Sequence, residues 1–117
     1  MRSAAIAVLG FRVAYGAALV FAPEKVTKSW LGPLDDAAKV ALRGLGGREI
    51  AVHGLAIAAA VRDRPLAPWL LASIAGDLND IAATFIGRKG IPDGASAKTA
   101  AVAGGSAALT AAILATT

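Results

Sequence analysis

The sequence predicts an all-α integral membrane protein, four helices packed as antiparallel up-and-down neighbours in one bundle. Three observations carry that expectation. Four long runs are rich in apolar and small side chains, and three of them approach the roughly 20 residues that a helix needs to cross a bilayer. Short polar or proline- and glycine-rich segments separate the runs, and none shows the two-residue alternation of a half-buried strand. The composition is 56% hydrophobic and only 17% charged, with thirty alanines in 117 residues, whereas soluble domains carry about 25% charge. One domain covers residues 1–117, because this length leaves no room for a second core.

The first run, 3–22, is helical by length and composition and ends at Pro23. Arg2 and the small residues near Val20-Phe21-Ala22 resemble a signal peptide, but Arg12 interrupts the apolar stretch. The run therefore reads as a retained membrane helix. The connector 23–35 places Trp30 between Lys25, Lys28 and Pro33. A tryptophan flanked by lysines suits the headgroup level, so this segment is expected along the membrane surface.

Asp35 or Asp36 supplies an N-cap for a second helix over 36–61. Only 49–61 is strongly apolar, and the glycines at 44, 46 and 47 leave open a kink, at about 1 kcal/mol each relative to alanine. Arg62-Asp63-Arg64-Pro65 is a tight turn into a third helix, 66–86, with Pro68 tolerable in its first turn and Trp69 as a second interfacial anchor. The loop 87–94 leads to a fourth helix over 97–115. Its small residues permit close helix packing at the Ala100/Gly104/Ala108/Ala112 stripe.

The stretch Arg43–Gly54 holds four ionisable side chains and four glycines beside the apolar Leu55–Val61. Charges so close to hydrocarbon-like sequence need partners. The third helix offers them, because Ser73, Asp77, Asp80 and Thr84 fall on one face within about 60° at about 100° per residue. Glu49 and His53 share a face of the second helix, and Arg12 lies in the middle of the first. A lone charge near mid-membrane costs about 2.5–3.5 kcal/mol. Arg12, Arg48, Glu49, His53, Asp77 and Asp80 are therefore expected to form one polar interior, with Arg12 and Arg48 neutralising the carboxylates. On that picture, removing Asp77 destabilises the bundle, and removing Arg12 and Asp77 together restores much of the loss.

Other chemistries are disfavoured. The chain has no cysteine and one histidine, so disulfides and thiolate metal sites are absent. The E-x-x-x-H and D-x-x-D spacings also differ from the repeated Glu-x-x-His of di-iron bundles. No metal and no cofactor are expected. The net charge of +4 is dispersed, with no basic stripe and interleaved aromatics for nucleic acid. No nucleophile–base pair of recognisable spacing marks a catalyst.

Three features together resemble small bacterial four-helix membrane proteins of unknown function near the DoxX-like superfamily. They are the entry Phe21-Ala22-Pro23, the Arg-Gly-x-Gly-Gly-Arg-Glu-x-x-x-x-Gly pattern of Arg43–Gly54, and Asp77-x-x-Asp80. That resemblance implies a four-helix membrane bundle with recurring polar positions at Arg43, Arg48, Glu49, Asp77 and Asp80, and it supplies no activity. The leading expectation for function is an accessory or scaffold subunit, packing against lipid, other membrane subunits or further copies of itself. The alternative is a small-molecule or proton-handling protein that uses the polar interior. The expected location is the inner (cytoplasmic) membrane, multi-pass. Lys25, Lys28, Arg88 and Lys89 place the first and third loops in the cytoplasm by the positive-inside bias.

Overall fold

The computed structural model describes residues 2–117, and those residues are helical without strands. Helix α1 covers Arg2–Phe21, and a short α2 covers Pro23–Thr27. Helix α3 covers Asp36–Val61, α4 Ala67–Ile86 and α5 Ala95–Ala115, with a single 3₁₀ turn at Arg88–Gly90 before α5. The sequence reading missed α2 as a separate helix and started the last helix two residues late. Both differences lie at proline or glycine punctuation, where helix ends are hardest to place.

Local chemistry explains the boundaries. Pro23 occupies the first turn of α2, where its missing N–H costs nothing. Gly32 takes a left-handed φ of 71°, which carries the chain from α2 towards α3. Asp35 caps α3, its Oδ1 accepting from the Ala38 amide at 2.7 Å. Lys39 on the first turn of α3 pairs with Glu24 of α2 at 2.6 Å. That hydrogen bond, with the Coulombic attraction behind it, holds the Glu24 carboxyl below its ordinary range. Arg43 reaches back to α1 and donates from Nε to the Val20 carbonyl at 3.1 Å, a favourable charge at a helix C-terminus.

Helix α3 runs unbroken through Gly44, Gly46 and Gly47, and the reason lies in its packing. A Cβ on Gly46 would sit 2.5 Å from the Gly16 carbonyl oxygen and 2.9 Å from Leu19 Cβ. A Cβ on Gly16 would sit 2.7 Å from the Gly46 carbonyl oxygen and 2.9 Å from Glu49 Cβ. These two glycines let the α1 and α3 backbones touch, just beside Arg12 and Glu49. A methyl on Gly44 or Gly47 would meet nothing within 4 Å, so neither plays such a part.

The long helices form two close pairs, α1 with α3 and α4 with α5. The pairs meet in one apolar cluster: Ala5 and Leu9 from α1, Ala56, Ala59 and Ala60 from α3, Leu66 and Leu70 at the start of α4, and Ile113 from α5. At the opposite end, two hydrogen bonds tie the connector after α2 to the first turns of α5. Trp30 Nε1 donates to Thr99 Oγ1 at 2.9 Å, and Lys98 Nζ donates to the Ser29 carbonyl at 2.6 Å.

Beside the apolar cluster the helices bury several polar side chains and expose several large apolar ones. Arg12, Glu49, His53, Ser73, Asp77, Thr99 and Thr110 are buried, while Phe11, Phe21, Leu55, Leu71, Leu78, Phe85, Ile86, Val102 and Leu109 face outwards. Three helices, α1, α4 and α5, are long and apolar enough to cross a membrane. Helix α3 falls outside that set because Lys39, Arg43, Arg48 and Glu49 crowd its first half. On α5 the inward side is Ala95, Thr99, Ala103, Ala107 and Thr110. Ala100 and Gly104 of the expected packing stripe are half-buried and Ala108 and Ala112 are exposed.

Candidate functional site

The polar interior is built around Arg12, which projects from the middle of α1 where Gly16 and Gly46 bring α3 close. Its guanidinium grips two carboxylates at once. Nε donates to Glu49 Oε2 at 2.9 Å and Nη2 to Glu49 Oε1 at 3.0 Å. Nη2 also donates to Asp77 Oδ1 at 2.8 Å, and Nη1 to Asp77 Oδ2 at 3.2 Å. Both contacts are bidentate, the geometry in which arginine–carboxylate pairs are strongest. Arg12 thus fastens α1 to α3 and, across the gap between the helix pairs, to α4. All three side chains are at least nine-tenths buried.

A second pair lies one turn along α4. Arg48 Nη2 donates to both oxygens of Asp80, at 3.2 and 3.1 Å, and stands 4.0 Å from Glu49 Oε1. This pair is more open: the Arg48 side chain is 40% exposed and that of Asp80 is 26% exposed. The structure brings Arg12, Arg48, Glu49, His53, Asp77 and Asp80 together, and the sequence did not choose which of them pair. The structure assigns Arg12 to Glu49 and Asp77, and Arg48 to Asp80.

His53 closes the cluster from below. Its Nδ1 lies 2.8 Å from the Glu49 carbonyl oxygen and its Nε2 lies 2.7 Å from Ser73 Oγ. A carbonyl only accepts, so Nδ1, which also lies 3.3 Å from Glu49 Oε2, carries a hydrogen; in the neutral ring the Ser73 hydroxyl donates to Nε2. A neutral imidazole satisfies both bonds. The charge count at this level is then three carboxylates against two guanidiniums. Oxygens of Glu49, Asp77 and Asp80 come within 4.8 Å of one another, a span that could serve one hard cation. All three carboxylates already accept from arginine.

Above the cluster, between the two helix pairs, lies a cavity of about 520 Å³. Arg12, Glu49, Asp77 and Asp80 form its floor, with Tyr15 beside them. Val26, Leu45 and Ala103 line its sides, the exposed Phe11 and Val102 flank its open side, and Ser29, Trp30, Lys98 and Thr99 lie at its mouth. The volume falls in the range of small-molecule sites, which combine apolar walls with a few polar groups. Sequence reasoning found the floor and missed the walls and mouth. Trp30 and Thr99 are 69 residues apart, and no periodicity in either segment signals that they meet. Comparison with known proteins gives no match to a family model, to a curated protein or to a solved structure.

Proposed function

We propose that this chain is a multi-pass protein of the cell's inner membrane that takes a small amphipathic molecule into the cavity above the arginine–carboxylate floor. In this reading the four long helices run alternately up and down, the first and third loops face the cytoplasm, and a distant kinship with DoxX-like membrane bundles is retained. The cavity carries the proposal. A space this large, walled by hydrocarbon and ending on fixed charges, suits a ligand with an apolar body and one polar end. It also explains why buried ions are kept where apolar residues would fold at least as well. The Trp30–Thr99 and Lys98–Ser29 hydrogen bonds fix the rim, so the volume is held open by the connector rather than by the cluster alone.

Trp30 at the mouth serves as the reporter. In a Trp69→Phe background, the purified protein in lipid nanodiscs is expected to bind the neutral amphipath 4-phenyl-1-butanol saturably, with a shift in Trp30 emission. Ala103→Phe fills the cavity from the α5 side and is expected to abolish that response without loss of fold. An unchanged titration in the Ala103→Phe protein, or a signal that never saturates, would count against the cavity.

One observation favours the accessory-subunit reading as a second role. Ala101, Gly105, Ala108 and Ala112 line the outward face of α5, and small residues on a membrane-facing side let another helix approach closely. Isolation of a defined larger complex in mild detergent supports that role, and recovery as a lone chain opposes it.

A further inference from the structure

We propose that the occupant of the cavity is an organic cation, and that it enters in exchange for one proton held by the carboxylate cluster. This rests on the cavity reading above and adds the sign of the ligand's charge. The argument begins with charge balance. Glu49, Asp77 and Asp80 pair with Arg12 and Arg48, and a neutral His53 completes its bonds by sharing the Nδ1 hydrogen between the Glu49 carbonyl, at 2.8 Å, and Glu49 Oε2, at 3.3 Å. One unit of negative charge is left at mid-membrane depth, where uncompensated charge is expensive. A proton or a bound monocation removes that excess, and a second negative group on the ligand enlarges it.

The exchange has a definite place. Glu49 and Asp77 each spend both oxygens on the Arg12 fork. Asp80 meets one nitrogen of Arg48 and retains acceptor capacity towards the cavity, since an ionised carboxylate offers about four acceptor sites. Its side chain is also the most exposed of the three, at 26% against 5% and 4%. The groups around it are Arg12 and Tyr15 from α1, Arg48 and Glu49 from α3, Asp77 on its own helix, and the charged Lys98 from α5 at the mouth, engaged with the Ser29 carbonyl. In the empty site one proton is shared within the carboxylate cluster. A cation arriving over Asp80 takes the same charge position, and the proton leaves through the mouth to water, so the filled and empty sites have equal charge. The apolar walls select an organic cation over a hydrated metal ion. Tyr15 and Trp30 add ring faces, which attract a desolvated ammonium.

Phenyltrimethylammonium and its uncharged carbon isostere tert-butylbenzene separate charge from shape. Both are titrated calorimetrically into the wild-type protein in nanodiscs, in two buffers of different ionisation enthalpy. The ammonium is expected to bind at least about tenfold more tightly than the isostere. It is expected to release up to one proton per ion and to tighten by up to about tenfold per pH unit while the site holds that proton. Asp80→Asn is expected to erase the preference and the proton release, and Asp80→Glu to restore both. Arg48 is exposed enough to stay solvated without its partner. Should Asp80→Asn fail to fold, the wild-type comparison still decides. Equal affinity for ammonium and isostere, or ammonium binding without proton release, overturns the proposal. If 4-phenyl-1-butanol binds while the ammonium does not, the cation inference falls and the cavity stands. If neither binds, both fall.

Discussion

Replacing Arg12 with leucine is expected to cost the fold about 5 kcal/mol, the upper end of what breaking a buried ion pair costs. The size follows from its two partners. Arg12 supplies four hydrogen bonds to Glu49 and Asp77, and its loss leaves Asp77 buried without a partner in reach among the described residues and Glu49 with Arg48 only at 4.0 Å. Asp77→Ala removes half of that arrangement and is expected to cost about 3 kcal/mol. The shared guanidinium corrects a simpler expectation. Removing Arg12 and Asp77 together is expected to restore only part of the stability, because Glu49 then keeps only Arg48 at 4.0 Å and His53 Nδ1 at 3.3 Å. Only the triple replacement Arg12→Leu/Glu49→Leu/Asp77→Leu clears the buried charge, and it is expected to recover most of the loss. Equilibrium unfolding in mixed micelles, across the single, double and triple variants, measures this order. A double variant as stable as the triple one contradicts the shared fork.

The glycines of α3 are expected to split into two classes with opposite signs. Gly46→Ala drives a methyl into the Gly16 carbonyl and Leu19 Cβ, neither of which is the loose end of a flexible side chain. The helices must separate, and overpacking of this kind costs about 1–3 kcal/mol. The Arg12–Glu49 fork is strained with them, so the loss should fall at the top of that range. Gly47→Ala and Gly44→Ala meet nothing within 4 Å and sit in a continuous helix. Alanine there is expected to stabilise by up to about 1 kcal/mol. The same unfolding measurement on the three variants checks the split. Similar effects at all three positions would refute a specific contact between α1 and α3.

Much of this arrangement was readable from local pattern, and the remainder was not, for physical reasons. The cap at Asp35, the stop at Pro23 and the turn at Arg62–Pro65 each depend on a few adjacent residues, and the sequence displays them directly. The inward stripe of Ser73, Asp77 and Asp80 is a helical periodicity and was equally legible. The roles of the glycines were hidden, because Gly44, Gly46 and Gly47 look alike until α1 is placed against one of them. The pairing of the ions was hidden for the same reason: a sequence supplies two arginines and three carboxylates, but register decides which meet. The cavity depends on contacts between Trp30 and Thr99 and between Ser29 and Lys98, which join segments remote in the chain. On α5 the abundance of alanine made every face look equally packable, so composition did not distinguish the buried Ala103 and Ala107 from the exposed Ala108 and Ala112.

The central claim is that the apolar outer surface meets lipid while the charges lie inside. Leu78 tests it most directly, since it follows Asp77 in sequence, points outwards, and the chain has no cysteine of its own. A spin label on Leu78→Cys, in protein reconstituted into bilayers, is compared for collision with molecular oxygen and with a water-soluble nickel chelate. Oxygen concentrates in hydrocarbon and the chelate stays in water. Frequent collisions with oxygen and few with the chelate are expected; ready collision with the chelate in the membrane-bound protein would place Leu78 in water and overturn the lipid-facing surface.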